Sequence, residues 1–233
     1  MGKASRTGAT QSQLGRRIGA ISTRISPVAN RVEPVRRLIA HPRAKRLQIC
    51  PHIRFQYGPN RMHLLNTGHA IEFVAPHGGG AASLGDERYE SVQFHFHAPG
   101  EERFAGKASP LDMHIVHADA SGKLLLIAVQ FMPGHANPGL DAMLNQIPTR
   151  PGEEKVIDSV QIDRSALLPK KLSYYTYSGS LTTPPCSEGV IWIELKQPVS
   201  VSPRQLNAMR KLYSHNQRPV QPLNGREVLE VGP

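Results

Sequence analysis

The chain has 233 residues, with 20 glycines, 20 prolines, two cysteines and a formal net charge of +10. That length allows one large domain or two small ones, with a core that needs no disulfide support. The glycine and proline content argues against a helical bundle, and no apolar run approaches the ~20 residues of a membrane-spanning helix.

The positive charge is unevenly placed. Residues 1–54 hold 12 Lys or Arg against one acid, Glu33, and the rest of the chain is close to neutral. Residues 1–45 lack clean periodicity and are dense in Arg, Ser and Gly. They read as a basic, solvated N-terminal segment, with 46–233 as the folded domain. The functional alternative is an arm that meets phosphate or anionic lipid. No aromatic residue that could stack on bases precedes Phe55, so no nucleic-acid partner is expected. Residues 1–13 lack the apolar stretch of a secretory leader. Cys50 and Cys186 form no CxxC pair and leave the compartment open.

From about residue 46, short apolar segments alternate with turns. Strands are predicted over Ala70–Ala75, Tyr89–His97, Leu111–His117, Leu124–Met132, Ser173–Tyr177 and Val190–Leu195. Ser121-Gly122-Lys123 is short enough to join its flanking strands as an antiparallel hairpin. One helix is predicted over Asn137–Gln146, where Leu140, Met143, Leu144 and Ile147 have helical spacing. Ser202-Pro203 opens a second, with Ser as N-cap, Pro at the first helical position, and Leu206, Met209 and Leu212 as its apolar residues. The expectation is one β-rich domain with a few peripheral helices.

Gln93-Phe94-His95-Phe96-His97 alternates polar and apolar side chains. On a strand, Gln93, His95 and His97 share one face and the two Phe residues share the other. Two imidazoles about 7 Å apart along a strand can converge on one metal; solvent exposure is the competing explanation. In Asp112-Met113-His114-Ile115-Val116-His117, parity puts Asp112, His114 and Val116 on one face and His117 on the other. Only one of these histidines can join the first pair, and parity alone does not choose. Asp112 favours His114, because a carboxylate on the same face could orient that ring; His117 then reads as a core histidine. Three neutral imidazoles with one open position match a catalytic zinc site, although three nitrogens alone leave copper and iron open.

The sequence resembles the α-carbonic anhydrases. The likeness is carried by Gln93–His97, Asp112–His117, Ser180–Pro185 with Glu188–Trp192, and Arg218–Asn224; Asn66–His69 adds a weaker match. Together they span roughly residues 55–230. The resemblance implies a mainly β, single-domain fold on a large, mostly antiparallel twisted sheet. It implies reversible hydration of carbon dioxide to bicarbonate by hydroxide on zinc, the chemistry established for carbonic anhydrases generally. The metal would be held by His95, His97 and His114, with Gln93 orienting His95 and Asp112 orienting His114. Thr182 would accept a hydrogen bond from the hydroxide and pass its own proton to Glu101, with Thr183 lining the same cavity. Val116, Leu126, Leu181, Val190 and Trp192 would form an apolar wall for the substrate, and His69 would shuttle protons. Family members of bacterial type imply a periplasmic or secreted address, with the cytoplasm as the alternative, and a homodimer is compatible with the family.

Several positions depart from the family pattern. Asp112 stands where the family usually has Glu, so its bond to His114 is expected to lengthen or run through water. The family's Glu-His pair is here Glu101-Glu102. The family's aromatic N-terminal segment has no clear counterpart, and Cys50 lies too late in the chain for the bridge bacterial relatives often make to the cysteine after the Pro-Pro. Two other readings compete. One is a carbonic anhydrase fold that serves as a binding domain with weak or no catalysis. The other is a cupin-type metalloprotein, in which Glu101 and His135 join the His95/His97 pair.

Overall fold

Alternating apolar and polar residues, punctuated by Gly and Pro, favour short strands over helices. The computed structural model describes residues 45–46, by backbone alone, and 51–232. The expectations placed on segment 1–45, Lys45 aside, and on Cys50 lie outside the described residues. Cys186 is a free, partly buried thiol among them.

The first strands are β1 (Lys45–Arg46), β2 (Ile53–Tyr57), β3 (Pro59–Asn66), β4 (Ile71–Val74), β5 (Gly80–Leu84) and β6 (Glu87–His97). A small ribbon of β7 (Arg103–Phe104) and β8 (Lys107–Ala108) precedes β9 (Leu111–Ala118) and β10 (Leu124–Pro133). Helix α1 (Pro138–Leu144), β11 (Glu154–Asp163) and a 3-10 turn at Arg164–Leu167 come next. The order ends with β12 (Tyr174–Ser180), β13 (Glu188–Val201), helix α2 (Pro203–Leu212) and β14 (Leu229–Val231).

Twelve strands form one sheet in the order β1-β14-β12-β13-β10-β9-β6-β4-β3-β11, with β5 pairing β6 and β2. Pairing is antiparallel except at β1–β14 and β10–β13. The chain thus builds the mainly β, mostly antiparallel sheet that was expected. Each of the predicted strands and both helices are present, with shifted ends. The Ser121–Lys123 turn does join β9 to β10 as an antiparallel hairpin. Asp119 Oδ1 holds it by accepting the N–H groups of Ser121 and Lys123. The periodicity does not reveal β3 and β11, which pair at one side of the sheet. β11 is mostly polar and leaves Val156 49% exposed, so it has no apolar run to announce it.

Parity divides the central strands into two faces. Phe94, Phe96, Met113, Ile115, Ile127, Val129, Ile193 and Leu195 are buried in the main core. Phe73 stacks on Phe94 with ring centroids 4.5 Å apart, a contact worth about 1 kcal/mol beyond its buried area. Leu140 and Met143 of α1 and Leu206 and Met209 of α2 join the same cluster. Ser202 caps α2 through a capping box with Gln205. The Gln205 amide also bonds both the N–H and the carbonyl of Asn137, the N-cap of α1, and so couples the two helices.

On the opposite face, strand register aligns side chains in rungs across the sheet. One rung runs His95, His114, Ala128, Glu194 along β6, β9, β10 and β13. The next runs Gln93, Val116, Leu126, Trp192, Tyr177, ending on β12. This face carries the candidate site.

Candidate metal centre

The first rung and its neighbour bring three imidazoles together. One nitrogen each from His95, His97 and His114 lies within 4.8 Å of the others. The ring centroids are 4.9 Å apart for His95–His97, 5.5 Å for His95–His114 and 4.7 Å for His97–His114. His117 is on the other face, as strand parity requires. There its Nδ1–H donates to the Leu125 carbonyl at 3.3 Å, and its Nε2 accepts from the Tyr57 hydroxyl at 2.6 Å. Burial holds its pKa down to about 3, so it stays neutral.

In each ring of the triad, one nitrogen is anchored and the other is free. His95 Nδ1–H donates to Gln93 Oε1 at 2.8 Å, the contact expected of Gln93. His97 Nδ1–H donates to the Asn216 carbonyl at 3.3 Å. His114 Nε2–H donates to Glu102 Oε1 at 2.8 Å. His97 Nε2 and His114 Nδ1 are buried without a hydrogen-bond partner among the described residues, with Glu101 Oε2 standing 3.9 Å from His114 Nδ1. A buried imidazole nitrogen left bare costs about 1–3 kcal/mol unless something binds it. Burial, with repulsion from the neighbouring rings, lowers His95 well below 6.5 and His97 to about 3. His114 is raised, because the charge and hydrogen bond of Glu102 outweigh its burial. Convergent imidazole nitrogens free of hydrogen bonds are a donor set that zinc fits.

The contact from Asp112 to His114 is lengthened beyond hydrogen-bond range, in line with the expectation for the shorter side chain. Asp112 Oδ2 lies 3.8 Å from His114 Nε2 and instead accepts the Glu101 backbone N–H at 2.6 Å. The aspartate stem is one methylene short of the ring, and the carboxylate settles on a closer donor. Glu102, which the sequence marked only as a departure from the family's Glu-His pair, makes the contact instead. Burial and the Glu102 charge push Asp112 well up, whereas the adjoining His114 outweighs burial at Glu102 and holds it low.

Glu101 is the other carboxylate beside the triad. Its Oε1 accepts the Arg218 backbone N–H at 2.6 Å. Burial raises it, opposed by nearby His114, the Arg218 N–H and the neighbouring Thr182 hydroxyl. Thr182 lines the same cavity as Glu101, and Glu101 Oε2 has no hydrogen-bond partner among the described residues. Thr183 sits in the following turn, partly exposed, its carbonyl accepting the Cys186 N–H at 2.9 Å. Behind this pair a cavity of about 90 Å³ opens, lined by Glu101, Glu102, Ser180, Thr182 and Arg218 among others.

The five apolar residues assigned to the wall do meet. Val116, Leu126, Leu181, Val190 and Trp192 form a second buried cluster, with Ala128 added. Trp192 presents its ring at 5.0 Å and nearly perpendicular to His114, and its Nε1–H donates to the Ser180 carbonyl at 3.1 Å. Gly179 makes room for it, since a Cβ there would come within 2.8 Å of Trp192 Cδ1. His69 lies half-buried in the turn before β4, close enough for its charge to lower both His95 and His97. His135, the fourth ligand of the cupin reading, is exposed after β10 and outside the cluster.

Three polar residues at this site were not singled out from the sequence. Asn216 is buried; its Oδ1 accepts the Ala98 N–H, and its Nδ2 donates to the carbonyls of Phe96 and His69. Nothing in its local sequence marks this role. Glu194 is buried beside Tyr177, whose hydroxyl donates to it at 2.8 Å, and burial plus the Glu102 charge raise its pKa. A carboxylate two residues from Trp192, on the same face of an apolar strand, was a readable signal. The third is Glu72, half-buried on β4 beside β6.

Comparison with known proteins agrees with this geometry. Residues 36–232 match the family profile described as eukaryotic-type carbonic anhydrase. A carbonic anhydrase of Pectobacterium carotovorum is 44% identical over 180 residues, covering 76% of this chain and 71% of that protein. A carbonic anhydrase of Neisseria gonorrhoeae is 40% identical over 181 residues, covering 77% and 71%. The solved α-carbonic anhydrase of Thermovibrio ammonificans, in complex with sulfanilamide, superposes with a TM-score of 0.77 at 40% identity, covering 82% of this chain and 84% of that one.

Proposed function

The chain belongs to the eukaryotic-type carbonic anhydrase family, and on that premise we propose that it hydrates carbon dioxide reversibly to bicarbonate and a proton at zinc held by His95, His97 and His114. The observation that carries this reading is the set of free imidazole nitrogens, each on a ring whose other nitrogen is tied to the protein. Zinc bound there would supply a Lewis acid that lets water ionise near neutral pH, as it does in carbonic anhydrases generally.

The remaining chemistry falls to the chain's own residues. Thr182, beside Glu101 in the same cavity, would give its hydroxyl proton to that carboxylate, leaving its oxygen to accept from the attacking oxygen. That fixes which lone pair of the nucleophile faces the substrate carbon, an orientation effect. Arg218 holds Glu101 in place through its backbone N–H. The apolar cluster of Val116, Leu126, Leu181, Val190 and Trp192 suits a substrate with no charge or dipole and offers little to bicarbonate, which favours release of the product. His69 would carry the departing proton outward; burial lowers its pKa, so the ring is neutral and free to accept a proton near neutral pH.

The test is stopped-flow hydration of carbon dioxide by the purified chain, with zinc quantified on the same sample. One zinc per chain and hydration that a chelator abolishes would bear the reading out. A zinc-loaded chain with no hydration above the buffer rate would overturn it and leave a binding domain.

A further inference from the structure

Two departures from the family pattern meet at one histidine. The carboxylate expected to orient His114 is a methylene short at Asp112, and an additional carboxylate stands at Glu102. We propose that Glu102 is the positioning residue for His114 and that Asp112 has become the anchor of the loop that delivers it. This rests on the reading of His114 as a metal ligand.

Asp112 Oδ2 accepts the backbone N–H of Glu101 at 2.6 Å, which fastens the chain just after β6 onto β9. Gly100 lets that chain lie close: a Cβ there would come within 2.8 Å of Asp112 Oδ2 and 2.4 Å of Ser109 Oγ. The Gly100 N–H also donates to the Ser109 carbonyl at 2.9 Å, a second tether on the same stretch. With the backbone pinned at 100 and 101, the next side chain reaches inward, and Glu102 Oε1 meets His114 Nε2 at 2.8 Å. Asp112 Oδ2 stays 3.8 Å from the same nitrogen, beyond hydrogen-bond range. Glu102 is 5% exposed and His114 fully buried, so the contact is made without competing water. Such a contact fixes the ring so that Nδ1 carries the lone pair, and loss of a partner of this kind typically costs 10–100-fold in metal affinity.

The experiment compares Glu102→Ala, Glu102→Gln and Asp112→Asn in the full chain by two readouts. The first is zinc affinity by chelator competition. Glu102→Ala should weaken binding by about 10–100-fold. Glu102→Gln, which keeps an acceptor oxygen, should lose less, and Asp112→Asn, which still accepts the Glu101 N–H, should stay within about threefold. Adding Asp112→Glu to Glu102→Ala should recover roughly tenfold, because the longer side chain can then reach the ring. The second readout is the His114 Nε2–H resonance in metal-free protein, which does not depend on zinc. It should persist in Asp112→Asn and vanish in Glu102→Ala. Equal zinc loss in Asp112→Asn and Glu102→Ala, or a resonance that survives Glu102→Ala, overturns the proposal. A wild-type chain that takes no zinc defeats the reading of the metal centre, while the resonance still decides the partner of His114.

Discussion

Glu72 is a carboxylate on the site face of β4 with no ion-pair or hydrogen-bond partner among the described residues. β4 pairs with β6 through Phe73–Phe94 and Val74–Gln93, and continuing that register by one residue sets Glu72 across from His95. Its neighbour on β3 is Leu65, so neither side offers a positive charge. Burial raises its pKa from 4.5 to about 7. The unfolded chain releases this proton near 4.5, whereas the folded chain keeps it until about 7. The folded state therefore binds more protons across that window, and stability falls as pH rises through it. The full linkage is about 3 kcal/mol. Because the side chain keeps some contact with solvent, we expect about 1–2 kcal/mol in practice. Glu72→Gln cannot ionise. It should match wild type in stability at pH 4 and exceed it by that amount at pH 8.5, with Tm higher by about 4 °C. Urea unfolding at both pH values, with chelator present, measures the difference directly. A Glu72→Gln stability difference that does not change with pH would refute the reasoning.

The other predictions concern metal, catalysis and the loops around the site. His97→Ala should lose zinc and hydration together. His117→Ala should keep zinc but lose about 2–3 kcal/mol of stability, because the Tyr57 hydroxyl and Leu125 carbonyl lose their partner; equal zinc loss in the two variants would mean the third ligand is wrongly chosen. Thr182→Ala should cut the hydration rate about 10²-fold by releasing the nucleophile's orientation, at unchanged zinc content, and an unchanged rate would remove the Thr182–Glu101 pair from the mechanism. Asn216→Ala should cost about 2–3 kcal/mol, since Phe96 and His69 carbonyls lose their donor. Hydrogen exchange at residues 67–70 should quicken in that variant, and unaltered exchange there would show that Asn216 does not hold the His69 turn.

Much of the site was legible because alternation along a strand is a local property. Gln93, His95 and His97 had to share a face, and so did Asp112, His114 and Val116, whatever the rest of the chain did. The helix caps were equally local: Ser202 with Pro203 marked the start of α2 before any packing was considered. The resemblance then supplied the apolar wall, whose five residues come from β9, β10, β13 and the Ser180–Pro185 stretch and meet in one cluster. Strands at the polar edge were hidden for the same physical reason that others were visible. β11 has an exposed face and half-exposed partners, so its sequence carries no alternation strong enough to read.

What the amino-acid sequence determined by itself was which side chains point the same way within each extended segment. It could not determine which faces of different segments meet. The pairing of His95 with His114 across β6 and β9 is a fact of register, and register depends on every strand between the sheet edges. The partner of His114 depended on reach: one methylene at position 112, set against a loop held close by Gly100, moved the contact to Glu102. Asn216, more than a hundred residues from the strand end it clamps, could be found only once the fold had closed that distance.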